Sequence, residues 1–371
     1  MTALPLKDRL KAQIAASGPI SVAEYMASCL SDPTDGYYAT KEPFGADGDF
    51  ITAPEVSQMF GELIAACLIG AYDAAGRPDH FVLTELGPGR GTLMADLLRT
   101  AKLRPDFLSA AKLCLVETSS RLREIQLDKL KGAPLAPDFL KSITELPAAP
   151  VLLVANEFFD ALPIHQFVKT ENGWRERMVG LDAQEALAFG IGSAVLPEHQ
   201  IPVSAAMAPT GSILETQPAG NAVAEEIGLR LKTYGGLALI IDYGYLQTVP
   251  GETLQALYRQ KPDPVLAHPG HADVTAHVNF EALAAAAQSA GARSLPPMTQ
   301  GDFLLKMGLL ERAGRLGTGK SHQEQESIRD AVERLAAPNQ MGDLFKVLAL
   351  TGGQGRLHPF DSSSHMGSGS R

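Results

Sequence analysis

The chain has 371 residues, with 32 Lys+Arg against 42 Asp+Glu and a formal net charge of −10. Hydrophobic residues make up 45% and charged residues 20%, which excludes a disordered or collagen-like chain and argues against nucleic-acid binding through a diffuse basic surface. Cys29, Cys67 and Cys114 lie far apart without a C-x-x-C pair, so neither a disulfide framework nor a cysteine zinc site is expected.

Residues 4–16 and 20–30 have the spacing of short helices, interrupted by Gly18-Pro19. A turn-rich segment follows, punctuated by Asp32-Pro33, Asp35-Gly36 and Asp47-Gly48, and a loop of that length inside a domain is more often functional than idle. From Glu55 to about Ala75, Met59, Leu63, Ile64, Cys67, Leu68 and Ala71 recur at helical spacing. Strands are then expected at 81–86, 113–117 and 151–155, with helices between them and a short third strand near 133–136. Short apolar strands alternating with helices imply an α/β fold whose mostly parallel sheet is covered on both faces. Around 165–181 the period changes to two and Asn172-Gly173 marks a hairpin, so residues 165–217 are expected to form a β-ribbon insertion. A helix at 219–233, a core strand at 237–242, an irregular stretch at 244–278 and a helix at 279–290 follow. After a possible strand at 292–296, a helical segment at 301–337 and a strand at 344–351 complete the chain. The expected organisation is a helical lead-in with an active-site loop (1–80), a core with insertions (81–361) and a disordered tail or cloning scar (362–371). The first eighteen residues lack the apolar run of a signal peptide and the Arg/Ser-rich, acid-poor character of a transit peptide, so the expected address is cytoplasmic. No run reaches roughly 18 apolar residues, so no membrane span is expected.

The most informative segment is Glu85-Leu86-Gly87-Pro88-Gly89-Arg90-Gly91. A strand that turns into a helix through glycines lets backbone N–H groups approach a ligand, because no Cβ intervenes. The second strand ends in Glu117, whose carboxylate can accept hydrogen bonds from both ribose hydroxyls. Two ligand classes compete. A dinucleotide fingerprint needs glycine at position 92, which is Thr92. The spacing acid-x-Gly-x-Gly-x-Gly is similar to that of class I methyltransferases, which bind S-adenosylmethionine, and Glu85 suits the ammonium of that ligand better than a pyrophosphate.

Several blocks together extend this similarity: Gly48-Asp49-Phe50-Ile51-Thr52, Pro54-Glu55, Gln58-x-Phe60-Gly61-Glu62, the glycine loop, Asn156-Glu157-Phe158-Phe159-Asp160-Ala161-Leu162-Pro163, residues 236–244 and residues 271–278. They resemble the MidA family, bacterial and mitochondrial methyltransferases linked to respiratory complex I assembly, over about residues 5–355. The resemblance implies a class I methyltransferase fold and S-adenosylmethionine as cofactor. It further implies arginine methylation of a protein partner, a complex I core subunit. Gln217 departs from the smaller residue or cysteine expected there.

Glu157, following a core strand at the sheet edge where α/β ligands bind, is the first candidate for fixing an acceptor guanidinium, and Asp160 could share the task. Glu85, Gly87, Gly89, Gly91 and Glu117 are expected to hold the cofactor. The resemblance adds Asn156, Asp49, Phe50, Thr52 and Pro54 to that group, and places Glu55 and Gln58 over the cofactor or the substrate. Phe158 is expected to wall the acceptor pocket, with Asp242 and Tyr243 lining the cleft from the next strand end. His271, Asp273 and His277 are expected to order a loop rather than bind metal, since transfer from a sulfonium needs no Lewis acid. Two other functions fit the same residues: an assembly factor that holds a client without essential catalysis, and a small-molecule methyltransferase. Oligomeric state is not legible.

Overall fold

The computed structural model describes residues 4–40 and 52–360. The chain opens with α1 (Leu6–Ser17), β1 (Ile20–Ser21), α2 (Val22–Ser31) and α3 (Tyr37–Thr40). Gly18 ends α1 at φ +89°, and Ser21 starts α2 through a capping box with Glu24. Helices α4 (Ala53–Val56) and α5 (Gln58–Ala74) follow, and then the alternation of strand and helix begins. Its members are β2 (Phe81–Leu86), α6 (Thr92–Ala101), α7 (Pro105–Ala110), β3 (Ala111–Val116), α8 (Ser120–Lys129), β4 (Asp138–Leu140) and β5 (Val151–Asn156). The expected third strand thus lies at 138–140 rather than 133–136.

Next come β6 (His165–Thr170), β7 (Gly173–Leu181), β8 (Leu187–Val195), β9 (Ile213–Thr216), α9 (Pro218–Tyr234) and β10 (Gly236–Tyr245). The stretch expected to be irregular contains β11 (Gln255–Tyr258), β12 (Lys261–Asp263) and β13 (Asp273–Thr275), which pair as a small antiparallel sheet. The chain finishes with β14 (Val278–Asn279), α10 (Phe280–Ser289), β15 (Arg293–Ser294), β16 (Met298–Thr299), α11 (Gln300–Lys306), α12 (Leu309–Gly317), α13 (His322–Ala336) and β17 (Phe345–Thr351).

The central sheet runs β15-β17-β10-β5-β2-β3-β4, with β14 beside β10 and β16 beside β17. The pairs from β10 to β4 are parallel, and β17 returns antiparallel to β10. All six residues of β2 and of β5 are buried, as expected for strands covered on both faces. One face packs Leu83, Val154 and Leu239 against α5, α6 and α11, and the other packs Leu153, Ile240 and Leu348 against α9 and α10. A second sheet, β1-β7-β6-β9 with β8 beside β7, packs Ile20 and Val179 against α1 and α2. The parallel arrangement sends the carboxyl ends of β4, β3, β2, β5 and β10 to one edge of the sheet, where ligands of α/β proteins bind.

Candidate active site

The loop after β2 carries three left-handed glycines, with φ +61° at Gly87, +53° at Gly89 and +80° at Gly91. At Gly87 the requirement is steric as well, since a Cβ there would stand 2.8 Å from Cδ2 of Phe158. The loop borders a cleft of about 720 Å³ along the sheet edge. Gly87, Gly89, Glu117, Glu157 and Phe158 line it, and Tyr38 of α3 faces them from the amino-terminal helices.

Glu85 sits one residue before the end of β2 and is only 3% exposed. Its Oε2 finds no hydrogen-bond partner among the described residues, and burial pushes its carboxyl up to about 8. Glu85 does not itself line the cleft, but it stands two residues before Gly87, which does, and a buried ionisable oxygen without a partner suits a cationic ligand that reaches it past the loop. Glu117 follows β3 and is largely buried, which raises its pKa. Its Oε1 accepts from the Ser119 N–H at 2.8 Å and its Oε2 from Gln126 Nε2 at 3.3 Å. Ser119 also caps α8, and Arg123 on that helix donates to the Glu117 carbonyl oxygen.

Glu157 follows β5 with φ +50°, a conformation that side-chain-bearing residues rarely adopt. The turn aims its carboxylate at the Ala53 N–H, 3.2 Å from Oε1, and at Asn156 Nδ2, 3.1 Å from the same oxygen. Burial, and then the charge of Asp160, push the Glu157 carboxyl up to about 8, with the two donors pulling the other way. Asp160 itself is 7% exposed and does not line the cleft, and burial raises its pKa. Its charge reaches Glu157, but it does not share the cleft wall with it.

Asp242 and Tyr243, expected to line the acceptor cleft, do not border the cleft beside the glycine loop. Asp242 is fully buried, and its Oδ2 accepts from the Phe159 and Asp160 N–H groups at 3.0 and 3.2 Å while Oδ1 accepts from the Tyr243 N–H at 2.9 Å. Burial and the charges of Asp160 and Glu157 hold its pKa well above the carboxylate range. The Tyr243 ring packs edge-on against His277 and Phe345, at 5.3 and 5.6 Å between centroids. Glu55 and Gln58 are likewise engaged away from the cleft: Glu55 accepts from the Thr92 hydroxyl at 2.5 Å, and Gln58 donates to Glu62 at 3.3 Å. Glu55 thereby ties α4 to the first residue of α6, just behind the glycine loop. Thr52 precedes α4 and Pro54 lies within it, both buried and neither lining the cleft. Asp49 and Phe50 lie outside the described residues.

Three participants have no clear signal in the sequence. Gln126 is fully buried and donates from Nε2 to the Gly89 carbonyl at 2.8 Å as well as to Glu117. Gln217, the unusual residue after β9, donates to the carbonyls of Phe159 and Leu162 at 2.6 and 3.0 Å and so holds the turn that carries Glu157. Tyr38 sits where the charges of Asp273, Asp160 and Asp242 reinforce burial in raising its pKa. Among the described residues no group of three or more His, Cys, Asp or Glu is arranged to hold a metal ion, and His277 donates its backbone N–H to the Thr253 hydroxyl.

The family of S-adenosyl-L-methionine-dependent methyltransferases matches residues 63–298. The mitochondrial protein arginine methyltransferase NDUFAF7 of Rattus norvegicus is 37% identical over 380 residues, covering 95% of this chain and 86% of its own. The human protein of that name is 36% identical, covering 93% of this chain and 83% of its own. A solved structure from Burkholderia thailandensis, bound to S-adenosyl-homocysteine, has a TM-score of 0.84 at 30% identity and covers 97% of this chain and 96% of its own. The relatives' mitochondrial names overturn the cytoplasmic address expected here, so the character of the first eighteen residues does not assign the compartment. No described helix is long and apolar enough to cross a membrane. The strand–glycine–helix geometry, the unpartnered Oε2 of Glu85 and these similarities agree: the chain belongs to the MidA family of S-adenosyl-L-methionine-dependent methyltransferases, with that compound as its cofactor.

Proposed function

We propose that the protein methylates an arginine side chain of a protein substrate, with Glu157 as the residue that grips the acceptor guanidinium. The observation that carries this reading is Glu157 itself: a carboxylate in a strained turn, in the same cleft as the glycine loop and with its proton affinity raised. The names of the relatives, protein arginine methyltransferases, support the same acceptor. The MidA resemblance extends the proposal to a core subunit of respiratory complex I, methylated during assembly.

When bound, S-adenosylmethionine supplies a methyl group already activated on a sulfonium. Gly87 and Gly89 would leave room for it to approach the backbone, Glu85 would hold its ammonium and Glu117 its ribose. The chain's remaining task is alignment and charge management. In the ligand-free protein at neutral pH Glu157 is mostly protonated, since its pKa stands at about 8. An arriving guanidinium stabilises the carboxylate, and the planar fork of the acceptor fixes which nitrogen faces the cleft. Methyl transfer to a guanidinium that stays charged releases one proton overall, and the carboxylate gripping the acceptor would be the group to take it. Asp160 acts through Glu157, raising that affinity by its charge. Asp242 and Gln217 hold the turn, and Phe158 closes the wall above Gly87.

The test combines binding and product analysis. Glu157→Gln should retain cofactor affinity and lose methyl transfer to the client arginine, read by mass spectrometry. A variant that methylates normally contradicts the role of Glu157. A client unmodified even by the wild-type protein favours a holding function over an enzymatic one.

A further inference from the structure

The cofactor side of the cleft contains a residue whose position is unexplained by packing. Gln126 lies on α8, nine residues after Glu117, and its side chain is wholly buried. Its amide nitrogen spans the gap between two ligand-facing parts, reaching the Gly89 carbonyl at 2.8 Å and Glu117 Oε2 at 3.3 Å. The opposite end of the same amide, Oε1, is buried with no hydrogen-bond partner among the described residues. An unpaired buried carbonyl is destabilising, so an aliphatic side chain of similar size would serve packing better, and the two bonds made by the nitrogen offset that cost.

The Glu117 carboxylate accepts from the Ser119 N–H at Oε1, from Gln126 at Oε2 and also from the Thr118 backbone. Its two oxygens offer about four acceptor positions between them, so one remains for a ribose hydroxyl. We propose that Gln126 is a positioning residue for cofactor recognition, orienting Glu117 toward the ribose diol and fixing its spacing from the glycine loop. It touches neither cofactor nor acceptor and works through Glu117 and Gly89. The inference rests on the assignment of S-adenosylmethionine to this cleft.

The experiment is calorimetry of the full chain with S-adenosylhomocysteine and with its 2′-deoxy analogue. In the wild type the missing hydroxyl should weaken binding about tenfold or more, the usual scale for a hydrogen bond to a charged group. In Gln126→Leu, S-adenosylhomocysteine itself should weaken by a similar factor, and the deoxy compound should bind almost equally to it. Gln126→Met, which keeps the length of the side chain, carries the same expectation if the leucine variant does not fold. Gln126→Glu places a second carboxyl beside Glu117, so its affinity deficit against the wild type at the same pH should shrink as pH falls. Unchanged affinity in Gln126→Leu, or reduced affinity with the full hydroxyl penalty retained, overturns the proposal. Wild-type protein that fails to bind S-adenosylhomocysteine overturns the cofactor assignment and this inference together.

Discussion

Lowering the pH from 7.5 to 5.5 should weaken cofactor binding steeply. Glu85 is almost wholly buried, and burial alone lifts its carboxyl from the ordinary 4.5 to about 8. In the ligand-free protein it therefore carries a proton across most of the physiological range. A cofactor ammonium favours the ionised carboxylate, so binding expels that proton and affinity rises with pH up to about 8. The ionised fraction is roughly one quarter at pH 7.5 and one three-hundredth at pH 5.5, which predicts a loss of roughly 75-fold in affinity between them. Titration calorimetry in buffers of different ionisation enthalpy should count about three-quarters of a proton released per ligand at pH 7.5. Glu157, also at about 8, borders the same cleft, so the measurement belongs in a Glu157→Gln background. S-adenosylhomocysteine is the suitable probe because it keeps the ammonium and lacks the sulfonium. Glu85→Gln should flatten the profile. A dissociation constant that is flat, or tighter in acid, refutes the reasoning, as does a slope that survives Glu85→Gln. Folding has the opposite sign: a carboxyl whose pKa is raised in the folded state stabilises it below 4.5 and loses that contribution as pH rises through 8. Melting of the ligand-free protein should accordingly fall from pH 5 to 8 by more than that of Glu85→Gln.

Gly87→Ala meets Phe158 at 2.8 Å and keeps a φ of +61°, so it should cost about 1–3 kcal/mol in urea unfolding and weaken S-adenosylhomocysteine binding. Wild-type stability and affinity would contradict the assigned close approach. Asp242→Ala leaves three buried N–H groups without their acceptor and should lower stability by about 3 kcal/mol or more, with transfer lost through displacement of Glu157. An unchanged unfolding midpoint would contradict that role.

The parallel sheet was legible because β2, β5 and β10 are continuous apolar runs that end in polar residues at one edge. Glycines that need positive φ mark the loop equally well. The small sheet β11–β13 left no such trace: its strands have three or four residues and Pro262 sits in one of them, so no period develops. The helical segment expected at 301–337 divides at Gly308, which takes φ +92°, and again before Ser321, which caps α13. At the candidate site, sequence position put Glu85, Glu117 and Glu157 at or next to strand ends, and the structure has them there. It could not separate Asp160 and Asp242 from them, because burial behind the cleft depends on neighbours from other elements. Gln126 escaped notice, and Gln217 stood out only as an unusual residue without a role, for a related reason: each acts on a backbone carbonyl remote in sequence, and a lone glutamine announces no such partner.

The central claim is that S-adenosylmethionine occupies the cleft between the β2 glycine loop and Glu117. The most direct measurement is a crystal structure of the protein soaked with S-adenosylhomocysteine. The account predicts its ribose hydroxyls on the Glu117 carboxylate, its ammonium at Glu85 and its sulfur facing Glu157. Density for the compound elsewhere, or an empty cleft that admits a nicotinamide dinucleotide instead, would contradict it.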